Sequence, residues 1–191
     1  VPVICVGNFV AGGAGKTPVA LAVARLLREM GETPVFLSRG YGGSAGKGAP
    51  VLVDPTRHDA AYVGDEPLLL ARVAPTIVSA DRLAGAQAAR TRGASVVVMD
   101  DGLQNRALHQ DMRLAVVDGA SGAGNGYCVP AGPLRAPLAA QMPHVSALVL
   151  IGAGEAGGAV GGRRDGEPLV FRRFLPQPEV PLLFSGRQGR A

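Results

Sequence analysis

Short apolar runs alternate with segments of helical hydrophobic spacing along most of the chain. Runs rich in Val, Ile and Leu are typical of buried strands, whereas apolar positions three or four residues apart are typical of one helix face. The pattern predicts strands at residues 3–6, 34–38, 50–53, 76–79, 95–99, 114–118 and 147–151, and helices at 17–30, 66–73 and 82–92. Strands that alternate with helices form βαβ units. We therefore expect an α/β fold with a mostly parallel sheet and helices on both faces.

The first predicted helix shows the clearest amphipathic spacing. Its apolar positions, which share one helical face, are Val19, Val23, Leu26, Leu27 and Met30. Gly31 follows directly, and glycine is the residue that most often ends a helix in the left-handed conformation. We expect this face to pack on the sheet and Gly31 to end the helix.

The regular pattern stops after residue 151. Residues 152–162 are rich in Gly and Ala, which indicates a flexible connection. Further strands are predicted at 169–175 and 180–184. We therefore expect residues 1–152 to form one α/β domain, and residues 153–191 to comprise a Gly-rich linker and the start of a second lobe.

Composition narrows the class of protein. Hydrophobic residues make up 47% of the 191 residues but aromatics only 4%, so the core is aliphatic, as in sheets covered by helices. The net charge of +4 fits an anionic partner, although a coding bias toward Arg explains it equally well. Cys5 and Cys128 lack CxxC spacing, which favours a reduced intracellular protein. No run approaches the roughly 18–20 apolar residues that span a bilayer, so this chain by itself is expected to be soluble.

A glycine-rich loop follows the first predicted strand and opens the first predicted helix. Its sequence is Ala11-Gly12-Gly13-Ala14-Gly15-Lys16-Thr17, preceded by Val10. Such a loop points backbone N–H groups at phosphate oxygens, its lysine reaches the β- and γ-phosphates, and its hydroxyl residue coordinates Mg²⁺. The strict pattern has glycine where this chain has Val10. We predict a P-loop NTPase-like, nucleotide-binding domain, with a glycine-rich turn that binds nothing as the alternative.

Carboxylates occupy two further positions near strand or helix ends. Asp100 and Asp101 end an apolar strand, which is typical of a magnesium site beside a phosphate loop; solvated turn residues or a helix cap are the alternatives. Asp65 precedes an apolar helical segment in the sequence Gly-Asp-Glu-Pro, where a helix cap and a catalytic base are equally supported. A polar Ser-Arg-Gly-Tyr-Gly-Gly loop at residues 38–43 lies at the same predicted sheet edge, where Arg39 either meets an anionic group or is simply exposed.

These motifs occur together, in this order, in a known family. The chain resembles the tetraacyldisaccharide 4′-kinases of lipid A synthesis over nearly its whole length. The matching segments are VPVICVGNFVAGGAGKTP, SRGYGG, GDEPLLLA, VVVMDDGLQNRALHQD and VPAGPLRAPL. The glycine loop and the acidic strand end are generic, whereas SRGYGG, GDEP and DDG-x-Q in this order are specific. The family loop also lacks the first glycine, which accounts for Val10.

The resemblance implies an activity and a set of roles. Family members use ATP and Mg²⁺ to phosphorylate the 4′-hydroxyl of a lipid-linked glucosamine disaccharide at the cytoplasmic face of the inner membrane; no nucleic-acid partner is expected. By motif, Lys16 acts in catalysis and Asp65 is the catalytic base. Nucleotide binding falls to residues 10–17, and metal binding to Thr17, Asp100 and Asp101. The substrate pocket is formed by Arg39, Tyr41, Glu66, Arg82, Gln104 and Arg135.

The chain departs from the family pattern in sequence and length. Asn105 stands where the family usually has His, and Ala136 where it usually has Glu. Family members also have an N-terminal membrane helix and a C-terminal lobe whose histidine partners the catalytic aspartate. We expect this chain to be a fragment that lacks both. If it is the whole molecule, we expect nucleotide binding with poor turnover and weak membrane contact.

Two other classes of protein share the generic motifs. A different P-loop transferase is one; a GTPase is disfavoured because no NKxD motif is present. A non-catalytic nucleotide-binding module is the other, and the expected truncation favours it. Phosphate transfer to a lipid disaccharide separates these classes from a kinase.

Overall fold

The computed structural model describes residues 1–13, 15–154, 156, 160 and 169–174, the last segment for its backbone only. Ala14 of the glycine loop and the predicted strand at 180–184 lie outside the described residues. The strands are β1 (Val3–Gly7), β2 (Pro34–Ser38), β3 (Val51–Leu52), β4 (Thr76–Val78), β5 (Val96–Asp100), β6 (Met112–Asp118), β7 (Ala147–Ile151) and β8 (Leu169–Phe174). The α-helices are α1 (Lys16–Glu29), α2 (Ala60–Val63), α3 (Asp65–Ala71), α4 (Arg82–Thr91) and α5 (Leu138–Gln141).

All eight strands belong to one sheet with the order β3-β4-β2-β5-β1-β6-β7-β8. Every neighbouring pair is parallel except β3 with β4. The predicted strand at residues 50–53 is present as β3, and one antiparallel pair fits the predicted mostly parallel sheet. Only a single 3₁₀ turn, Ala45–Lys47, separates β2 from β3, so no crossover helix sets β3 parallel to its neighbour.

Helices cover both faces of the sheet, which confirms the predicted fold class. Successive residues of β1 point to opposite faces, so that Cys5 belongs to one hydrophobic cluster and Val6 to the other. The Cys5 face is covered by α4 and α5, and the Val6 face by α1 and α3. The core is largely aliphatic, as the composition predicts.

The first helix packs mostly as its spacing predicts. Val19 is buried, and Val23 and Leu27 are partly buried against the same cluster. Met30 is wrong as a core residue, because it is 74% exposed just beyond the end of the helix. Gly31 has φ 86 and its N–H donates to Arg28 O, so it ends the helix in the left-handed conformation that glycine favours.

Strand β8 extends this sheet beyond β7. The segment Leu169–Phe174 pairs in parallel with β7, with an irregularity in register between Val149 and Ile151. The division of the chain after residue 152 stays a prediction. Among the described residues, the longest helices are too short and too polar to cross a bilayer.

Candidate functional site

The glycine loop joins the end of β1, at the centre of the sheet, to the start of α1. Gly12 and Gly15 have φ 108 and φ 68, which only glycine adopts readily. A Cβ on Gly15 would also lie 2.5 Å from Ile151 Cδ1. No side chain caps α1, so its first amides are left for another acceptor. This is the geometry of an anion site at a helix N-terminus, at the carboxyl edge of a parallel sheet.

Lys16 lies inside this loop rather than in solvent. Its side chain is 7% exposed, and its Nζ donates to Gly12 O at 3.0 Å. Asn8 Nδ2 donates to the same carbonyl at 3.1 Å, so two donors hold one loop carbonyl. Lys16 Nζ is also 3.9 Å from Asp101 Oδ1. The loop lysine and the acidic strand end therefore face each other, as the motifs predict.

Asp100 and Asp101 have different environments although they are adjacent. Asp100 is the last residue of β5 and pairs with Val6; it is 2% exposed, and among the described residues neither of its carboxylate oxygens has a hydrogen-bond partner. Asp101 has φ 52, an uncommon value for a residue other than glycine, and its N–H donates to Val6 O at 2.9 Å. This turn directs the Asp101 carboxylate toward Lys16.

Burial is the main reason that the pKa of Asp100 is raised to about 7. The negative charges of Glu66 and Asp101 raise it further, and the positive charges of Lys16 and Arg82 oppose them. Glu66, in the first turn of α3, therefore lies within electrostatic reach of Asp100. Asp100 is a buried carboxylate that has no hydrogen-bond partner among the described residues and has a second carboxylate beside it; this favours a cation, because a cation would offset the repulsion.

We expect Asp100→Asn to stabilise the protein at alkaline pH. The pKa of Asp100 in the folded state lies above its ordinary value of 3.8, so the folded protein holds a proton that the unfolded chain releases. The free energy of unfolding of the wild type should fall as pH rises from 3.8 to about 7, by up to about 4 kcal/mol at about 1.4 kcal/mol per pKa unit. Urea unfolding in EDTA at about pH 5 and about pH 8 tests this. A stability difference between variant and wild type that does not grow with pH would contradict it.

Arg135 joins the glycine loop to the acidic strand end. Its Nε donates to Val10 O at 3.1 Å and its Nη2 to Asp101 Oδ2 at 3.0 Å. The backbone around it also pairs with the loop: Arg135 N–H donates to Phe9 O and Ala11 N–H to Pro133 O. The segment at 133–135 thus supports one wall of the glycine loop.

Asp65 and Glu66 form the first turn of α3, and both are exposed. The N-cap residue is Gly64, and no side chain caps this helix. By contrast, Asp81 caps α4 by accepting from two backbone N–H groups. The interpretation of Asp65 as a helix cap is therefore wrong.

Glycines bring the 38–43 loop against the backbone that carries Asp65. A Cβ on Gly43 would lie 2.6 Å from Tyr62 O, and a Cβ on Gly64 would lie 2.7 Å from Tyr41 O. Neither position has room for a side chain. The start of α3 is therefore fixed by direct packing of two backbone segments.

The predicted substrate residues are only partly brought together. Arg82 is buried at the start of α4, and its Nη1 donates to Ser79 O at 3.3 Å. Its pKa is lowered, mainly by burial and secondly by the positive charge of Arg39. Gln104 Nε2 donates to Asn8 O at 2.9 Å, directly before the glycine loop. Tyr41 is 88% exposed and Arg39 is also exposed, and among the described residues neither side chain has a hydrogen-bond partner.

Three features of the site escape the sequence motifs. Asn8 is fully buried against the loop, and Gln141 accepts a hydrogen bond from Gln104. A cavity of about 300 Å³ borders the loop. Its lining residues come from the glycine loop, the turn after β6 and the Arg135 segment: Val10, Ala11, Gly12, Gly13, Asp118, Ser121, Gly122, Gly124 and Pro133. Asn8, next to the motif, was recognisable as a polar residue at a strand end, whereas Gln141 carries no local signal.

Comparisons with known proteins agree with this geometry. A family model described as Tetraacyldisaccharide-1-P 4'-kinase matches residues 1–175. A tetraacyldisaccharide 4'-kinase of Methylorubrum extorquens (strain PA1) is 57% identical over 187 residues, which cover 98% of this chain and 57% of that protein. One of Methylobacterium radiotolerans is 61% identical over 180 residues, which cover 93% of this chain and 55% of that protein. The chain spans about half the length of the curated relatives it matches.

Solved structures show the same relationship. A crystal structure of LpxK from Aquifex aeolicus in complex with ATP superimposes with a TM-score of 0.72 and 32% identity, covering 88% of this chain and 53% of that one. Chloroplast FtsY from Physcomitrella patens superimposes with a TM-score of 0.51 at 17% identity, which shows a shared fold alone.

Proposed function

The chain belongs to the tetraacyldisaccharide 4′-kinase family, and from this premise we propose that it transfers the γ-phosphoryl group of ATP to the 4′-hydroxyl of a lipid A disaccharide precursor. The observation that carries the proposal is the position of Lys16. A lysine that is 7% exposed lies in a glycine loop at the start of α1, 3.9 Å from the Asp101 carboxylate. A buried ammonium group among backbone amides is suited to bind phosphate oxygens.

The glycine loop would bind the triphosphate. Backbone amides of residues 10–17 would donate to its oxygens, and Lys16 would neutralise charge on the β- and γ-phosphates. Arg135 supports the loop through Val10 O and is placed to add positive charge beside Asp101. The cavity of about 300 Å³ that borders the loop would hold part of the nucleotide.

The acidic strand end fits a divalent cation. Three carboxylate oxygens support this, because they are buried and accept no hydrogen bond from the described residues: Asp100 Oδ1, Asp100 Oδ2 and Asp101 Oδ1. Thr17, the second residue of α1, completes the proposed set. Two carboxylates and a hydroxyl, together with phosphate oxygens, are a typical set of Mg²⁺ ligands. The metal would offset negative charge on the transferred phosphoryl group.

Asp65 is the proposed general base. It would accept the proton of the 4′-hydroxyl as that oxygen bonds to the γ-phosphorus and the bond to the β–γ bridging oxygen breaks, which releases ADP. Its position is supported by the packing of Gly43 and Gly64 and by the electrostatic effect of neighbouring Glu66 on Asp100. The proposed substrate residues are Arg39, Tyr41, Glu66, Arg82, Gln104 and Arg135.

The acceptor defines the proposed location. A lipid-linked glucosamine disaccharide is presented at a membrane surface, so we propose peripheral contact with the cytoplasmic face of the inner membrane. The net charge of +4 supports contact with anionic lipid.

A phosphate-transfer assay tests the proposal. The protein is incubated with γ-labelled ATP, Mg²⁺ and tetraacyldisaccharide 1-phosphate, and the lipid product is analysed for label at the 4′ position. We expect labelled lipid and an equal amount of ADP. Nucleotide binding without transfer would favour the non-catalytic module, and ADP formation with another acceptor would favour a different transferase. The absence of both binding and transfer would refute the proposal.

A further inference from the structure

Helix α5 carries a buried polar side chain next to the proposed nucleotide site. Gln141 is the last residue of this four-residue helix and is 8% exposed. Leu138 and Met142, on either side of it, pack against the hydrophobic cluster on the Cys5 face of the sheet. Burial of a primary amide is unfavourable unless its polar atoms are hydrogen-bonded.

Both ends of the Gln141 amide are hydrogen-bonded. Its Oε1 accepts from Gln104 Nε2 at 2.9 Å, and its Nε2 donates to Ala136 O at 2.7 Å. Gln104 Nε2 also donates to Asn8 O at 2.9 Å, so both of its N–H hydrogens are used. The amides of Gln104 and Gln141 therefore connect Asn8 to Ala136 through three hydrogen bonds.

The two ends of this connection both adjoin residues that contact the glycine loop. Asn8 precedes the loop and holds Gly12 O through its own side chain. Ala136 follows Arg135, whose side chain reaches Val10 O and Asp101. A change at Gln141 would remove hydrogen bonds that link the backbone entering the loop to the backbone that carries Arg135.

We infer that Gln141 is a positioning residue of the nucleotide site, which acts through Gln104 and Ala136 without touching the nucleotide. The inference rests on the proposed function, because it assumes that the glycine loop and Arg135 bind ATP. No sequence motif indicates this role, because residues 104, 136 and 141 come into contact only in the folded chain.

The test compares Gln141→Met with wild type in binding of Mg²⁺ and a non-hydrolysable ATP analogue, by calorimetry. Methionine keeps the length of the side chain but removes both hydrogen bonds. We expect the dissociation constant to rise about ten-fold, the effect of losing one to two buried hydrogen bonds. Gln87→Met makes the same change at an exposed position of α4 and should bind as wild type. Urea unfolding of each variant reports any loss of stability separately.

A double-mutant cycle with Gln104→Met distinguishes positioning from general packing. If Gln141 acts through Gln104, the loss of binding free energy in the double variant should be smaller than the sum of the two single losses, because both variants remove the same Gln104–Gln141 hydrogen bond. Gln141→Glu is the second variant, for use if Gln141→Met does not fold. It keeps the side-chain volume and the acceptor oxygen but replaces the donor by a carboxylate oxygen that faces Ala136 O, so it should also weaken binding. Wild-type affinity in Gln141→Met and Gln141→Glu, or independent effects in the cycle, would overturn the inference. Lys16→Ala serves as reference: if it alone loses affinity, only the role of Gln141 is refuted, whereas wild-type affinity in all variants refutes the proposed nucleotide site as well.

Discussion

Replacing Lys16 with alanine is expected to reduce phosphate transfer by about 10²–10³-fold, the usual effect of removing one preorganised donor to a developing charge. Lys16 is nearly buried, and its ammonium group lies beside Gly12 O and Asp101. No other lysine can substitute, because the only other one in the sequence, Lys47, follows the 38–43 loop. The initial rate of labelled lipid formation at saturating ATP measures the loss.

Lys47→Ala is the matched control for this prediction. It removes the same charge from an exposed position at the end of the 3₁₀ turn Ala45–Lys47, so the net charge of the two variants is equal. Lys47→Ala should retain the wild-type rate. Equal activity of the two variants would show that the glycine loop does not stabilise the transferred phosphoryl group.

The glycine loop could be predicted from sequence because its signal is local. A strand, closely spaced glycines, Lys16 and a helix follow one another within a few residues, and each requires its neighbour for physical reasons. The same applies to the parallel strands, whose apolar runs must be buried on both faces. The direction of edge strand β3 could not be predicted in this way, because it depends on the connection before the strand and not on its own two residues.

The support of the loop could not be predicted because it is non-local. Arg135 is 125 positions from Val10 in the sequence, and Gln104 is 96 positions from Asn8. The family resemblance assigned Arg135 to the substrate pocket, whereas its described contacts are with the loop and with Asp101. Contacts of this kind follow from the strand order, in which β1 lies between β5 and β6, and from the return of the chain after β6.

For the two adjacent carboxylates at the end of β5, the sequence gives the residue types but not their burial, pKa or contacts. Asp100 and Asp101 read as equivalent carboxylates at a strand end. In the fold, Asp100 is buried and its pKa is raised, whereas the Asp101 carboxylate contacts Lys16 and Arg135. Asp101 has φ 52 and so leaves the strand conformation that Asp100 keeps, which the residue types alone do not show.

Asp65→Asn is expected to reduce phosphate transfer by about 10²–10⁴-fold, the range for loss of a general base. Binding of Mg²⁺ and ATP should be unchanged, because Asp65 lies in the first turn of α3 and outside the glycine loop. Asparagine is chosen because it has the shape of aspartate but cannot accept a proton at neutral pH. Single-turnover transfer with bound ATP separates the chemical step from binding.

Asparagine also separates the two roles that the sequence leaves open for Asp65. It caps helices about as well as aspartate, so a capping residue would tolerate the change whereas a base would not. Asp81→Asn is the matched control, because Asp81 does cap α4 through Leu83 N and Ala84 N and should keep both stability and activity when replaced. Full activity of Asp65→Asn, with nucleotide binding intact, would transfer the role of base to another group. Glu66, next to it and within electrostatic reach of Asp100, would then be the first candidate for that base.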